Sequence, residues 1–195
     1  MSSVALQEWR AHGLSRLAEL EQVHTKATGP ARGRRWSTTQ LNRSLFVALA
    51  AQFQAYCRAL HDDAVTVHAQ AASPAQAGWM PTILTRGRKL DTQNARKATL
   101  GSDFGMLGID LIADLNAKGA PTTGHLDALE VLVDFRNAIG HGNETKIVTL
   151  ESSGRIRSTK ASYVSYRRDM DALAATMDQV VAEGLAAMLG IPDPW

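Results

Sequence analysis

LNRSLFVALAAQFQAYCRAL, residues 41–60, places Leu41, Leu45, Leu49, Phe53, Tyr56 and Leu60 at intervals of four, four, four, three and four. That recurrence is one face of an α-helix, and it predicts a single buried stripe. Val47, Ala48, Ala50 and Ala51 widen the apolar surface on its flanks, so this helix is expected at the centre of a bundle, against more than one neighbour. It is expected to run past His61 toward Ala71, before the break at Ser73-Pro74.

The segments on either side carry the same period. Upstream, Leu6, Trp9, Leu17, Leu20 and Val23 predict an amphipathic helix ending near Gly29-Pro30, followed by the glycine and arginine loop TGPARGRRW, residues 28–36. Ser37, Thr38 and Thr39 then offer caps for the central helix. Downstream, residues 72–81 form a connection and residues 82–102 one or two short helices. Leu107, Leu111, Ile112 and Leu115 mark the next helix, stopped by Gly119 and Pro121. Leu126, Leu129, Leu132, Val133 and Ile139 mark another, running into Gly140-His141-Gly142. In residues 146–158, Ile147-Val148-Thr149-Leu150 and Arg155-Ile156-Arg157 flank Glu151-Ser152-Ser153-Gly154, a pattern that predicts a short β-hairpin. Tyr166, Met170, Leu173, Met177, Val180 and Met188 form the stripe of a long last helix, stopped by Gly190 and Pro192.

The expectation is therefore an all-α domain over residues 1–195: a bundle of about five to seven helices with a candidate β-hairpin before the C-terminal helix. Residues 1–36 hold the first helix and basic loop, 37–145 the core, 146–160 the hairpin and 161–195 the last helix. A chain of 195 residues is long enough to bury its own core without staples. Its single cysteine, Cys57, lies in the central apolar helix and reads as a small buried hydrophobe in a reducing compartment. Glu8, Arg10, Arg16 and Glu19 interrupt residues 1–21, so no signal-peptide core is expected there. No apolar run nears the roughly 20 residues that cross a bilayer, and the expected location is the cytoplasm.

A net charge of +2 conceals strong segregation. Residues 22–61 hold no acid but carry Lys26, Arg32, Arg34, Arg35, Arg43 and Arg58; Arg86, Arg88, Lys89, Arg96 and Lys97 form a second basic cluster, and Arg155, Arg157, Lys160, Arg167 and Arg168 a third. Residues 103–134 are acidic in between, with Asp110, Asp114, Asp127 and Glu130. Such segregation suits a polyanion such as RNA, and equally suits solvated helix faces. Arg34 and Arg35 beside Trp36, and Arg86, Arg88 and Lys89 after Trp79, are the candidate RNA contacts, with the tryptophans expected to anchor their loops to the core. His61-Asp62-Asp63 with His68 has no metal spacing and reads as an exposed helix surface, so no metal or cofactor is expected. The chain contains no GxSxG, HExxH, Walker or GxGxxG sequence.

Chemistry concentrates in Arg136-Asn137-Ala138-Ile139-Gly140-His141. Asn137 and His141 are four apart, so on a helix the amide lies where it could hold the imidazole in one tautomer. Arg136, five before His141, points roughly 140° away from it on an ideal helix. The two converge only if the backbone departs from helix at Gly140 or a second subunit supplies one of them. A guanidinium grips phosphate oxygens bidentately and a histidine moves protons near neutral pH, which suits transfer at a phosphodiester. In RNA the adjacent 2′-hydroxyl can be the nucleophile, giving 2′,3′-cyclic phosphate and 5′-hydroxyl ends without a metal. An ordinary helix C-terminus, with His141 capping beside a Gly140 stop, uses the same residues.

RNAIGH, followed by HGN, resembles the motif of HEPN (higher eukaryotes and prokaryotes nucleotide-binding) ribonucleases: an arginine, a polar residue that is often asparagine, three residues and a histidine at a helix end. The early helix at 41–60 and the terminal LGIPDPW resemble the subgroup near the RiboL-PSP proteins. Many members carry a glutamate just before the position of Ala55-Tyr56, where this chain has Gln54. The resemblance implies that Arg136 and His141 cleave phosphodiesters with Asn137 in support, and that two chains dimerise with their motifs across one cleft. It also implies a toxin or defence effector restrained by an antitoxin or regulatory protein. The rival expectations are a non-catalytic HEPN module that binds RNA or protein, and a helical scaffold in which the motif is accidental.

Overall fold

The computed structural model describes residues 1–28 and 36–195. In chain order the elements are α1 (Val4–Glu8), a π-helical turn (Trp9–Gly13), α2 (Leu14–Thr28), α3 (Trp36–Ala71), α4 (Pro74–Ala77), α5 (Met80–Thr85), a 3-10 turn (Lys89–Asp91), α6 (Lys97–Gly105), α7 (Leu111–Ala117), α8 (Ala120–Gly140), α9 (Glu144–Ser152) and α10 (Lys160–Leu189). The protein is all-α, with no strand among the described residues. Its helical segments outnumber the five to seven expected, because Pro74, Gly78, Pro81 and Gly87 cut residues 72–97 into short turns.

α3 is the hub, packed against α1, α2, α5, α8 and α10. Leu45, Leu49, Phe53, Tyr56 and Leu60 are all buried as their spacing predicts, while Leu41 is half-buried near the helix start. Phe46, on the flank of that stripe, is fully buried too. Its ring meets Phe135 of α8 edge-on, with centroids 5.2 Å apart, and meets Tyr163 and Tyr166 of α10 at 5.8 Å each. Edge-to-face pairs suit the ring quadrupoles, so one side chain joins the three longest helices. The Tyr56 hydroxyl donates to the Ala174 carbonyl at 2.7 Å and adds a second tie from α3 to α10.

α10 is long and apolar enough, by length and composition, to cross a bilayer, which the search for uninterrupted apolar runs missed. Met170, Leu173, Ala174, Met177, Val181 and Leu185 are buried in the protein's own core, so its apolar character is used in packing the bundle. Met188, assigned to the same stripe, is 43% exposed at the helix end.

Further sequence expectations are corrected. Residues 146–152 belong to helix α9 and not to a hairpin. The Asn143 side chain accepts from the Lys146 amide at 2.9 Å, capping the helix, and Glu144 in its first turn suits the positive end of the helix dipole. Ile147 is buried, and Leu150, three residues on, packs against the core. Those anchors outweigh the strand preference of Ile147-Val148-Thr149, which depends on context. After Gly154, at φ +75°, the chain folds back on α9, and Glu151 accepts from the Ser158 amide at 2.6 Å. The second correction concerns Leu20 and Val23, which are exposed although they share the apolar period with Leu17. The π-helical turn rotates the helix phase, and the inward line becomes Trp9, Gly13, Leu17 and His24.

His61, expected on an exposed helix surface, is fully buried. Its Nε2 lies 3.3 Å from the Asp103 carbonyl oxygen and its Nδ1 3.5 Å from Arg88 Nη1. A proton on Nε2 donates to that carbonyl and leaves Nδ1 to accept. Burial first, and then the Arg88 charge, hold this imidazole below its ordinary pKa. The unfolded chain therefore binds a proton near pH 6.5 that the folded protein refuses. Stability should fall as pH drops below about 6.5 and level off once the lowered folded value is passed. His68, whose pKa burial also lowers, acts with the same sign. His61→Gln, which supplies an amide N–H donor in place of the imidazole N–H but cannot protonate, should lose less Tm than the parent between pH 7.5 and 5.5; equal losses would contradict the assignment.

Candidate functional site

The RNAIGH helix end is assembled by a loop that α3 holds in place. Gln54 Nε2 donates to the carbonyls of Leu90 (3.2 Å) and Gln93 (2.9 Å). One helical turn on, Arg58 donates through Nε to Leu90 O (2.6 Å) and through Nη2 to Asp91 O (3.1 Å). From the other side, the buried Asp103 carboxylate accepts from the amides of Lys89 (2.9 Å) and Leu90 (2.8 Å). These bonds hold the loop's main chain at Lys89, Leu90, Asp91 and Gln93, and the clamp carries Asn94 onto α8. There Asn94 Nδ2 donates to Asn137 Oδ1 at 3.1 Å.

The same Asn137 oxygen accepts from Arg136 Nη1 at 3.0 Å. Asn137 is thus a joint between the loop and the guanidinium, and among the described residues it makes no side-chain bond to His141. The amide to imidazole contact that the spacing allows is not formed; Oδ1 accepts from Asn94 and Arg136 instead.

The charges around Arg136 are arranged unevenly. Arg96 pairs with Glu130 (3.0 Å) and Asp134 (2.5 Å), Lys97 with Asp127 (2.6 Å), and Lys146 approaches Asp134 at 3.8 Å. The bond from Lys97 holds the Asp127 carboxyl below its usual range. The acids on this side of α8 are therefore all compensated. Arg136, half-buried and bonded to a neutral amide, has no ion pair among the described residues.

α8 ends in a Schellman turn. Gly142 N–H donates to Ile139 O (3.1 Å) and Asn143 N–H to Ala138 O (2.8 Å), with Gly142 at φ +62°. The glycine is needed there, since the left-handed region disfavours side chains. His141, at the cap with φ −98° and ψ 4°, gives only its main-chain N–H to the turn, bonding Asn137 O at 3.0 Å. Its imidazole is exposed and makes no hydrogen bond among the described residues. No hydrogen bond joins Arg136 to His141, as the helical offset predicts.

Arg34 and Arg35 lie outside the described residues. Arg86 and Lys89 are exposed, but Arg88 is spent internally, pairing with Asp62 (2.5 Å) and Asp91 (2.9 Å) while its side chain is only 11% exposed. Trp79, expected to anchor its loop, is 50% exposed. Sequence reasoning missed Asn94, Arg58 and the clamp, because their partners lie some 30 to 40 residues away and no local pattern marks them.

The clamp yields a prediction. Gln54→Glu replaces a donor to two carbonyls by a carboxylate facing them, and should destabilise the protein by about 1–3 kcal/mol in urea unfolding. A change within about 0.5 kcal/mol, the range of an ordinary surface substitution, would contradict the clamp. Comparison of the chain with family models, with curated proteins and with solved structures finds no match in any of the three.

Proposed function

We propose that the protein is a metal-independent endoribonuclease of the HEPN type, with Arg136 as phosphate clamp, His141 as general acid or base and Asn137 as the residue that holds the clamp. One observation carries this reading. Arg136 is steadied by a neutral amide and left without a carboxylate, beside acids that are all paired, on the helix that ends in an exposed histidine. A guanidinium so placed keeps its charge and four of its five N–H donors for an anion.

The reaction that fits is attack of a ribose 2′-hydroxyl on the adjacent phosphorus. His141 moves a proton, Arg136 stabilises the charge growing on the non-bridging oxygens, and the P–O5′ bond breaks. The products are a 2′,3′-cyclic phosphate and a 5′-hydroxyl. Because the substrate supplies its own nucleophile, the scheme calls for no metal or cofactor. The divergence of Arg136 and His141 within one chain supports a homodimer in which each cleft takes the arginine of one protomer and the histidine of the other. Exposed Arg86, Lys89 and Trp79 are suited to RNA lying across the approach. By resemblance alone, the setting is a cytoplasmic toxin or defence effector with an inhibitory partner.

The test is incubation of a labelled mixed RNA with the purified protein in excess chelator, with product ends mapped. Cyclic phosphate ends are expected. Salt-dependent binding without cleavage would transfer the assignment to a non-catalytic RNA-binding module, and neither binding nor cleavage would leave a helical scaffold.

A further inference from the structure

Asn94 carries the loop before α6 into contact with the candidate site, and it is fixed on both sides. Before it, the Gln93 carbonyl accepts from Gln54 at 2.9 Å. After it, Ala95 is buried, Arg96 is paired with Glu130 and Asp134, and the Lys97 amide donates to Glu130 Oε1 at 2.7 Å. A side chain on a backbone held in this way is preorganised for whatever it touches.

What it touches is the Asn137 amide, and chemistry fixes which end of that amide faces Arg136. A guanidinium only donates, so the atom 3.0 Å from Arg136 Nη1 is Asn137 Oδ1. Asn94 shares that oxygen at 3.1 Å and therefore presents its own Nδ2. Were the Asn137 amide turned over, its NH2 group would face two donors at once. Asn94 thus selects the orientation that Arg136 requires, and does so without charge. A carboxylate at the same point would set an acceptor against an acceptor. It would also offer the guanidinium the counter-charge that it lacks among the described residues.

We propose that Asn94 is a positioning residue of the Arg136 site: its neutral amide holds Asn137 Oδ1 toward the guanidinium, and so keeps Arg136 aimed and uncompensated for a phosphodiester. The proposal rests on the ribonuclease reading for its substrate, and on the three side chains alone for its geometry. Asn94 acts through Asn137 and Arg136, not on the RNA.

Two substitutions of this residue in the full chain separate positioning from a structural role. Asn94→Asp keeps the shape and adds a charge; Asn94→Ala removes the bond. If Asn94 only held the loop, alanine would be the worse change and cleavage would fall with stability. Under the proposal the order reverses. Asn94→Asp should lower kcat/KM for RNA about 10–100-fold and Asn94→Ala by less, while aspartate costs no more stability in urea than alanine. In an Arg136→Ala background, Asn94→Asp should cost less than about a further twofold, because both changes act through one guanidinium. A short RNA with 2′-O-methyl riboses, which lacks the nucleophile, is titrated into the parent and the same variants, and its affinity should fall in the same order. A parent that binds this RNA but cleaves none would end the ribonuclease reading, and the order of affinities would then decide the role of Asn94. Aspartate at parental activity and affinity, alanine as the worse change, or an undiminished aspartate effect without Arg136 would overturn that role, even where the parent cleaves. Neither binding nor cleavage by the parent would overturn both.

Discussion

His141→Ala is expected to slow RNA cleavage by about 10²–10⁴-fold, the range lost when a positioned proton-transfer group is removed. The fold should not respond. The imidazole is exposed and unbonded, and the Schellman turn uses only the main chain of this residue, so stability should change by no more than about 0.5 kcal/mol. The loss should appear in kcat with little change in KM, since the histidine acts on the reacting bonds and not on the ground-state complex. Arg136→Ala should cost about 10²–10³-fold, as other removals of a preorganised donor to a developing oxyanion do. Arg136→Lys should recover little, because an ammonium keeps the charge but not the two-pronged grip. A His141→Ala protein cleaving at the parental rate would end the assignment.

Phe46→Ala is expected to destabilise the protein by about 3–5 kcal/mol in urea unfolding, the cost of emptying a fully buried phenylalanine site. The ring meets Phe135, Tyr163 and Tyr166 at once, so its removal opens a void between α3, α8 and α10 that no single helix shift closes. Since folded domains hold only about 5–15 kcal/mol in all, this one truncation should take a large fraction of the total. Phe46→Leu, which restores most of the volume but not the edge-to-face geometry, should cost roughly 1–1.5 kcal/mol. A Phe46→Ala loss below about 1.5 kcal/mol would mean that this cluster does not hold the three helices together.

Legibility in the sequence followed the range of the interactions. The α3 stripe of Leu45, Leu49, Phe53, Tyr56 and Leu60 was readable because a helix repeats its buried face every three to four residues. Phe46 escaped that reading: a helix buried on several sides has a second face whose importance depends on its neighbours. α9 was misread because the β-branched run Ile147-Val148-Thr149 is a local signal, whereas its helical anchor is Ile147 seated in a core built by distant residues. The exposure of Leu20 and Val23 follows from a π-turn that no residue pattern announced. At the candidate site, the type and spacing of Arg136, Asn137 and His141 were visible, as was the divergence of arginine and histidine around the helix. What Asn137 holds was not visible, since Asn94 reaches it from 43 residues away on a loop fixed by Gln54 and Arg58. Arg88 shows the converse: a basic cluster reads as free charge in sequence, and only the fold brings Asp62 to one of its members.

The decisive measurement mixes Arg136→Ala protein with His141→Ala protein, allows subunits to exchange, and follows RNA cleavage in chelator beside each variant alone. If one scissile phosphate is served by the arginine of one chain and the histidine of another, each heterodimer regains one intact cleft. Random exchange should then restore about a quarter of the parental rate by closed two-fold symmetry. A mixture as inactive as its components, made from a parent that cleaves RNA, would contradict the shared site.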